Sequence, residues 1–364
     1  MATARVGIAG FGVVGRRRKE CIDRRVDLKV VAVSDRDFGE FGTLEDGTVV
    51  HPSIDGLLGE KLDALIVCLP NDLAAAVTIA GLEAGLHVFC EKPPGRDPYD
   101  VESVIEVEER HPDLRLMYGF NHRYHDSVQD GLAILKGGEL GAVISLRGLY
   151  GKSKLVTFDQ PDWRTRRETA GGGVLLDQGI HMVDLMRLFG GEFDEVHSFV
   201  SNGHWGYDVE DNAYALMRTS GGVVGMLVSS ATQWRHQFNL EVNLQGGSLI
   251  LGGLITGTKS YGAETLTVVT ADPDRDRGDP REHTTRYNRD PSWDRELDSF
   301  AGCVLEGGPV ENGGSADALQ TMKLVYRIYF ADPEWRDAHG IDDPDDGAYA
   351  WPFRTPSLAD GSEK

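Results

Sequence analysis

Two stretches of the 364-residue sequence carry residue types at spacings that handle protons and developing charge. The first is Glu91-Lys92-Pro93-Pro94-Gly95, which ends the apolar run Leu86-His87-Val88-Phe89-Cys90. Proline fixes its own φ and biases the preceding residue to extended geometry, so Lys92 is presented on a stiff tip. An ammonium group there stabilises negative charge on an oxygen, or acts as a base if its pKa is depressed. The second stretch is Gly171-Gly172-Gly173 followed by Val174-Leu175-Leu176-Asp177-Gln178-Gly179-Ile180-His181. Three glycines permit a close backbone approach and a helix begins, placing Asp177 and His181 at i and i+4 on one face. Histidine is the usual proton donor and acceptor near neutral pH, and a carboxylate one turn away holds its ring or tunes it. Alone, Glu-Lys-Pro is ordinarily a solvated turn and Asp-His a helix-surface pair. A third stretch changes that reading.

Residues 4 to 15 read as a strand ending in Gly10-Phe11-Gly12-Val13-Val14-Gly15, followed by a helix from Arg16 to Arg25. The pattern fits a dinucleotide: a tight turn at Gly10, close backbone approach to a pyrophosphate at Gly12, strand-helix packing at Gly15, and phosphate on the helix N-terminus. A second strand, Leu28 to Asp35, puts Asp35 20 residues beyond Gly15, the offset at which a carboxylate takes a ribose 2′-hydroxyl. Asp35 repels a 2′-phosphate whereas Arg36 beside it accepts one, so NAD is expected and NADP stays open.

The elements that must hold these residues alternate. Strands at Leu62 to Leu69, Gly85 to Cys90 and Leu114 to Phe120 are separated by helices at Leu73 to Ala84 and Val101 to Arg110, the latter opened by Asp97. This predicts an α/β domain with a parallel sheet over residues 1–122. The stretch Phe38 to Glu60 is short and glycine-broken, so the second crossover loses most of a helix. From Val143 strands recur with hardly a helix between them, predicting an α+β domain over 123–330 on a large open, mostly antiparallel sheet. Trp293 to Tyr329 reads as helix broken at Gly307-Gly308-Pro309, packing across a sheet face, with 293–306 able to return to the first domain. The acidic tail, 331–364, carries Trp335, Tyr349, Trp351 and Phe353 and is expected to dock as an arm.

With 37 basic and 58 acidic residues the net charge is −21, which argues against nucleic acid and anionic membrane as partners. No run approaches the ~18 apolar residues of a membrane span. Cys21, Cys68, Cys90 and Cys303 lack metal-ligand spacing, predicting reduced thiols, a cytoplasmic location and no metal. Against the overall sign, the segment Arg147 to Arg167 holds Arg147, Lys152, Lys154, Arg164, Arg166 and Arg167 with only Asp159 and Asp162 as acids, and it carries Trp163. Guanidinium forks match phosphate oxygens and an indole stacks on a sugar or base, so this segment points to a nucleotide-diphosphate sugar. The competing reading is a basic loop pairing with acidic neighbours at a subunit interface. Asn121, Arg123 and Tyr124 at a strand's carboxyl end, and Gln178 beside Asp177, complete the expected substrate side.

Together these motifs resemble the glucose-fructose oxidoreductase / inositol dehydrogenase (Gfo/Idh/MocA) family over roughly residues 4 to 330. The resemblance implies a Rossmann domain, a second domain whose open sheet often pairs subunits into a homodimer or homotetramer, and hydride transfer between a nicotinamide and a sugar or cyclitol carbinol. Its Lys-Asp-His site falls on Lys92, Asp177 and His181: His181 as acid/base, Lys92 on the carbinol oxygen and Asp177 orienting substrate or His181, with Lys92 and His181 open to exchange. Leu69-Pro70-Asn71 and Glu91 join the cofactor side. Where members often read Pro-Asn-x-x-His, this chain has Pro70-Asn71-Asp72-Leu73-Ala74, a departure that bears on cofactor choice. A free sugar or cyclitol, a dihydrodiol-like substrate and a non-catalytic dinucleotide sensor are the alternatives. A sensor predicts a missing Lys, Asp or His, and all three are present.

Overall fold

Continuous apolar strands buried on both faces build the first sheet, as a parallel sheet requires. Its strands are β1 (Ala4–Ala9), β2 (Leu28–Ser34), β3 (Gly42–Thr43), β4 (Val49–His51), β5 (Ala64–Val67), β6 (His87–Glu91) and β7 (Leu116–Gly119), in the order β3-β4-β2-β1-β5-β6-β7. All pairs are parallel except β3 with β4. The computed structural model describes residues 3–155 and 163–346; Asp159, Asp162, Tyr349, Trp351 and Phe353 lie outside them. Covering helices are α1 (Val13–Asp23), α2 (Ile54–Leu58), α3 (Asn71–Glu83) and α4 (Pro98–Glu108), the last capped by Asp97 accepting from the Asp100 N–H. The glycine-broken stretch 38–60 contains β3, β4 and the five-residue α2, so the shortened crossover was foreseen but its two strands were not. Two- and three-residue strands are too short for alternation to register in sequence. Because the chain builds outward from β1 through β2 and β4 on one side and then returns to add β5 on the other, a crevice opens beyond the carboxyl ends of β1 and β5.

After a 3-10 turn at Asn121–Tyr124 and α5 (Asp126–Gly137) comes an eight-stranded sheet. It comprises β8 (Val143–Gly151), β9 (Glu195–Ser201), β10 (Asn212–Arg218), β11 (Val224–Ser230), β12 (Gln237–Leu244), β13 (Gly247–Gly252), β14 (Thr265–Thr270) and β15 (Arg281–Arg286), in the order β15-β14-β13-β12-β8-β11-β10-β9. Every pair is antiparallel except β8 with β11, so the sheet is mixed. Between β8 and β9 lie α6 (Arg167–Ala170), a π-helical turn (Leu175–Gly179) and α7 (Ile180–Gly190). Helix α7 packs on one sheet face through Met182 and Met186, whose side chains fill the space beside Gly148. The opposite face leaves Ile144, Phe199, Tyr214, Leu216 and Met226 exposed.

The C-terminal helices do not both lie on that sheet. In α8 (Ser292–Glu306), Leu297, Phe300 and Ala301 join Val6, Ile8 and Phe89 in the core of the first domain. In α9 (Ser315–Ala331), Met322, Leu324, Val325 and Ile328 enter the larger core that α4, α7 and β9 share, and Trp335 of α10 (Pro333–His339) is buried with them. The side chain of Arg18 from α1 holds α8 in place. Its Nε donates to Glu91 Oε1 at 2.6 Å and its terminal nitrogen to Glu296, while the guanidinium lies 4.5 Å from the Phe89 ring centroid and 4.3 Å from that of Trp293. Burial pushes the Glu296 carboxyl up to about 8, against the pull of Arg18. Arg18→Ala leaves two acids in low dielectric without their cation, so a loss of about 3–5 kcal/mol is expected, read as a lowered urea midpoint. Glu296→Gln, which keeps the shape and removes a charge that burial already opposes, is expected to cost far less.

Candidate functional site

A cavity of about 760 Å³ occupies the crevice beyond the first sheet. At one end the three motif glycines each have a distinct reason. Gly10 has φ +88° and a Cβ there would stand 2.3 Å from the Cys68 carbonyl oxygen; a Cβ on Gly15 would stand 2.0 Å from that of Gly10. A Cβ on Gly12 would meet nothing within 4 Å, so the N-terminus of α1 opens directly on the cavity, as a pyrophosphate needs. Val13 and Val14 line the cavity, whereas Phe11 does not; its N–H donates to Asp35 Oδ2 at 2.6 Å. Asp35 also accepts from the Asp37 N–H through Oδ1 at 3.0 Å, which fixes the carboxylate at the rim with lone pairs left for a ribose. Arg36 lines the same rim, with its Nε 4.0 Å from Asp37. Leu69, Pro70 and Asn71 form the wall, and Asn71 Nδ2 also donates to the Ala170 carbonyl at 2.7 Å, tying α3 to the second domain. These residues fit a dinucleotide.

At the other end Lys92, Asp177 and His181 all line the cavity. Lys92 Nζ, at the carboxyl end of β6, donates to the Asp177 carbonyl and lies 3.9 Å from its Oδ1. Lys152 Nζ lies 3.1 Å from Asp177 Oδ2, and Arg164 Nε 3.7 Å from Oδ1. Burial alone would raise the Asp177 carboxyl, but Lys152, Lys92 and Arg164 outweigh it and hold it well below the usual carboxylate range. Burial lowers Lys92, against Asp177 and Glu91. Burial, then Lys92 and His125, push His181 well below its ordinary value, so its imidazole is neutral.

The expectation that Asp177 holds the His181 ring is corrected. The π-helical turn widens the spacing, Asp177 faces its three cations, and no hydrogen bond joins it to His181 among the described residues. His181 instead stacks on His122, with ring centroids 3.6 Å apart and planes 9° apart. The glycine triplet is likewise pressed against protein. A Cβ on Gly171 would stand 2.1 Å from Arg96 O, on Gly172 2.3 Å from Tyr329 Oη, and on Gly173 2.0 Å from Glu210 O. The buried carboxylate of Glu210 accepts from the N–H groups of Gly173 (2.6 Å) and Leu175 (2.8 Å) and from Tyr329 (2.7 Å), fixing the turn that presents Asp177.

Several expected substrate residues are elsewhere. Arg123 is buried in ion pairs with Asp184, whose Oδ2 is 2.7 Å from its Nε, and with Asp317; these bind α7 to α9. Tyr124 packs in the first core with Phe300. Gln178 is outside the lining and accepts from the Tyr261 hydroxyl at 3.2 Å. Arg166 is exposed and outside the lining, Arg147 pairs with Glu241 across the open sheet face, and the Arg167 N–H donates to Asp208. Of the basic segment, Arg164 lines the cavity beside Trp163, its guanidinium 4.3 Å from that ring, and Lys152 reaches Asp177 from beneath. Asn121 is in the lining. Sequence reasoning missed His122, His125, Thr256, Asp290 and Trp293, and Arg17, which pairs with Asp290 at 3.1 Å and stacks on Trp293. Among the described residues no cluster of His, Cys, Asp and Glu could hold a metal, and no helix is long and apolar enough to cross a membrane.

A dinucleotide cradle on a Rossmann sheet, facing a polar floor supplied largely by a second domain, defines a two-domain NAD(P)-dependent oxidoreductase. Residues 4–120 match the model of the oxidoreductase family with an NAD-binding Rossmann fold, and residues 129–250 that of the GFO/IDH/MocA C-terminal domain. The chain belongs to the Gfo/Idh/MocA family. It is 29% identical to D-glucoside 3-dehydrogenase of Escherichia coli (strain K12), over 66% of this chain and 74% of that one. It is 26% identical to myo-inositol 2-dehydrogenase of Thermotoga maritima, over 88% and 94%. The fold is shared with levoglucosan dehydrogenase in complex with NADH, at a TM-score of 0.77 and 19% identity over 92% of this chain and 98% of that one.

The glycines predict opposite outcomes for one chemical change. Gly12→Ala is expected to leave the urea midpoint in place and weaken NAD binding about tenfold or more, because its methyl enters the space for the pyrophosphate. Gly173→Ala, with its methyl against the Glu210 carbonyl, is expected to lose about 2 kcal/mol or more of stability. Unfolding curves and NAD titrations on both variants check this.

Proposed function

We propose that the protein interconverts a secondary alcohol and a ketone of an uncharged sugar or cyclitol. The observation that carries this is the convergence of Lys92, Asp177 and His181 on the floor of the cavity whose far end is the Gly10–Gly15 cradle. A bound nicotinamide supplies the two-electron exchange; this chain's residues hold the sugar and move the hydroxyl proton. Lys92 is assigned as the acid/base. Burial moves the Lys92 amine down from the ordinary lysine range towards neutral pH, whereas it moves the His181 imidazole away from neutral pH. Neutral His181 hydrogen-bonds the carbinol, and ionised Asp177 orients Lys92 and a neighbouring hydroxyl. The preference for NAD follows from Asp35, which would place like charge beside a 2′-phosphate.

The sign of the pH dependence is fixed by these roles. Alcohol oxidation needs the neutral amine and rises with pH through the Lys92 pKa; ketone reduction needs the ammonium and falls. Both limbs are expected below the ordinary lysine range, since burial lowers Lys92. Lys92→Ala is expected to cut turnover by ~10²–10⁴ with NAD affinity nearly unchanged. Turnover near that of the parent would remove Lys92 from this role.

The uncharged-sugar reading is supported by the relatives, named as dehydrogenases of a glucoside and an inositol, and by Arg147, Lys154, Arg166 and Arg167 lying outside the cavity lining. A nucleotide sugar is the second reading, supported by Trp163 and Arg164 at the cavity wall. A panel of glycosides, inositols and nucleotide sugars assayed with NAD separates them: turnover of nucleotide sugars alone sinks the first. We infer further that the exposed face carrying Leu216 and Met226 is covered by a second copy of the chain. The double variant Leu216→Asp/Met226→Asp is expected to elute from size exclusion at a smaller mass than the parent; an unchanged mass contradicts it.

A further inference from the structure

The ring beneath His181 is itself held by a polarised chain. His122 is buried, its Nε2 is 3.1 Å from the Tyr150 hydroxyl, and its Nδ1 is 3.1 Å from Asn121 Oδ1. Asn121 Nδ2 donates to Ser292 Oγ at 3.1 Å, and Ser292 Oγ donates to Asp290 Oδ1 at 2.6 Å. The direction of every link follows from the last. The Asp290 carboxylate, paired with Arg17, only accepts, so the Ser292 hydroxyl proton is committed to it and Ser292 must accept from an amide N–H. That turns the Asn121 carbonyl towards His122 and places a proton on Nδ1, leaving Nε2 to accept from Tyr150. A carboxylate three hydrogen bonds away thereby selects one tautomer of His122. The surface this tautomer presents to the site is its ring face, parallel to that of His181.

His181 needs such a support. Its Nδ1 is enclosed and has no hydrogen-bond partner among the described residues, so the second nitrogen, which usually fixes the orientation of a working imidazole, fixes nothing here. Asp177, the neighbour expected to do so, is turned to its cations. We propose that His122 is a positioning residue for His181: held by the chain that ends at Asp290, its ring face sets the plane in which His181 offers Nε2 to the substrate oxygen. A ring free to tilt would lose the near-attack geometry on which an oriented hydrogen bond depends.

The inference rests on the carbinol-oxidoreductase reading, and the test separates the two. Three variants of the full chain, His122→Leu, His122→Phe and Ser292→Ala, are compared with the parent by turnover and by side-chain ¹⁵N spectra of the imidazoles. His122→Leu is expected to lower kcat about tenfold or more, with the NAD dissociation constant within about twofold, and to move His181 from one ordered tautomer to an averaged signal. His122→Phe, which keeps a flat ring, is expected to recover most of kcat and the ordered His181 signal. Ser292→Ala, far from His181, is expected to mix the His122 tautomers. Equal kcat losses in the Leu and Phe variants, an unaltered His181 signal in His122→Leu, or an unaltered His122 tautomer in Ser292→Ala would each overturn the proposal. Should the parent turn over no sugar, the carbinol reading fails and the spectra still decide whether His122 orders His181.

Discussion

One ionised carboxylate, Asp177, ties the site together. Its three cations arrive from separate parts of the chain: Lys92 from the tip of β6 in the first domain, Lys152 just past the end of β8, and Arg164 from the short turn before α6. Only about a quarter of the Asp177 side chain and a fifth of that of Lys92 remain open, so the buried carboxylate depends on its cations for compensation. The same contact that offsets burial also opposes the downward pull of burial on the amine, and it brings the two domains together at the point where chemistry is proposed. Stability and reactivity are thus set by one arrangement of charges.

That arrangement is rigid because its supports are buried acids. Glu210 holds the backbone of Gly173 and Leu175, and behind it each glycine of the triplet sits too close to Arg96, Tyr329 or Glu210 for a side chain. On the other side Arg18 clamps Glu91, the neighbour of Lys92, to Glu296 of α8. A site built this way keeps its groups in place before a ligand arrives, which is what electrostatic stabilisation of a transition state requires.

Much of this was legible in the sequence because it depends on local chemistry. The cradle glycines and the Lys-Pro tip are each confined to a few consecutive residues, the Asp35 offset is a fixed spacing within one strand-helix-strand unit, and each lies in the cavity or supports it. The α/β alternation and the second sheet followed from periodicity. What failed depended on contacts distant in sequence. Arg123 looked like a ligand-binding residue because it is a cation at a strand end, but Asp184 and Asp317 claim it. Arg166 and Arg167 reversed the local charge of their segment, yet a loop's composition does not say which way its side chains face. The Asp177–His181 spacing suggested a regular helix, and a single π-helical turn redirected both residues. His122, Glu210 and Asp290 carried no spacing signal, since each also depends on a partner far along the chain: Tyr150 for His122, Tyr329 for Glu210 and Arg17 for Asp290.

The claim that Asp177 and burial together poise Lys92 for proton transfer is tested most directly on the amine itself. The rate at which Lys92 reacts with a small amine-selective reagent can be followed by peptide mass spectrometry across pH, with Asp177→Asn alongside the parent. In the parent Lys92 should titrate below the ordinary lysine range, and loss of the carboxylate should lower it further, because Asp177 favours the ammonium form. A parent Lys92 that titrates with the exposed lysines, or a value that Asp177→Asn leaves unmoved, would contradict it.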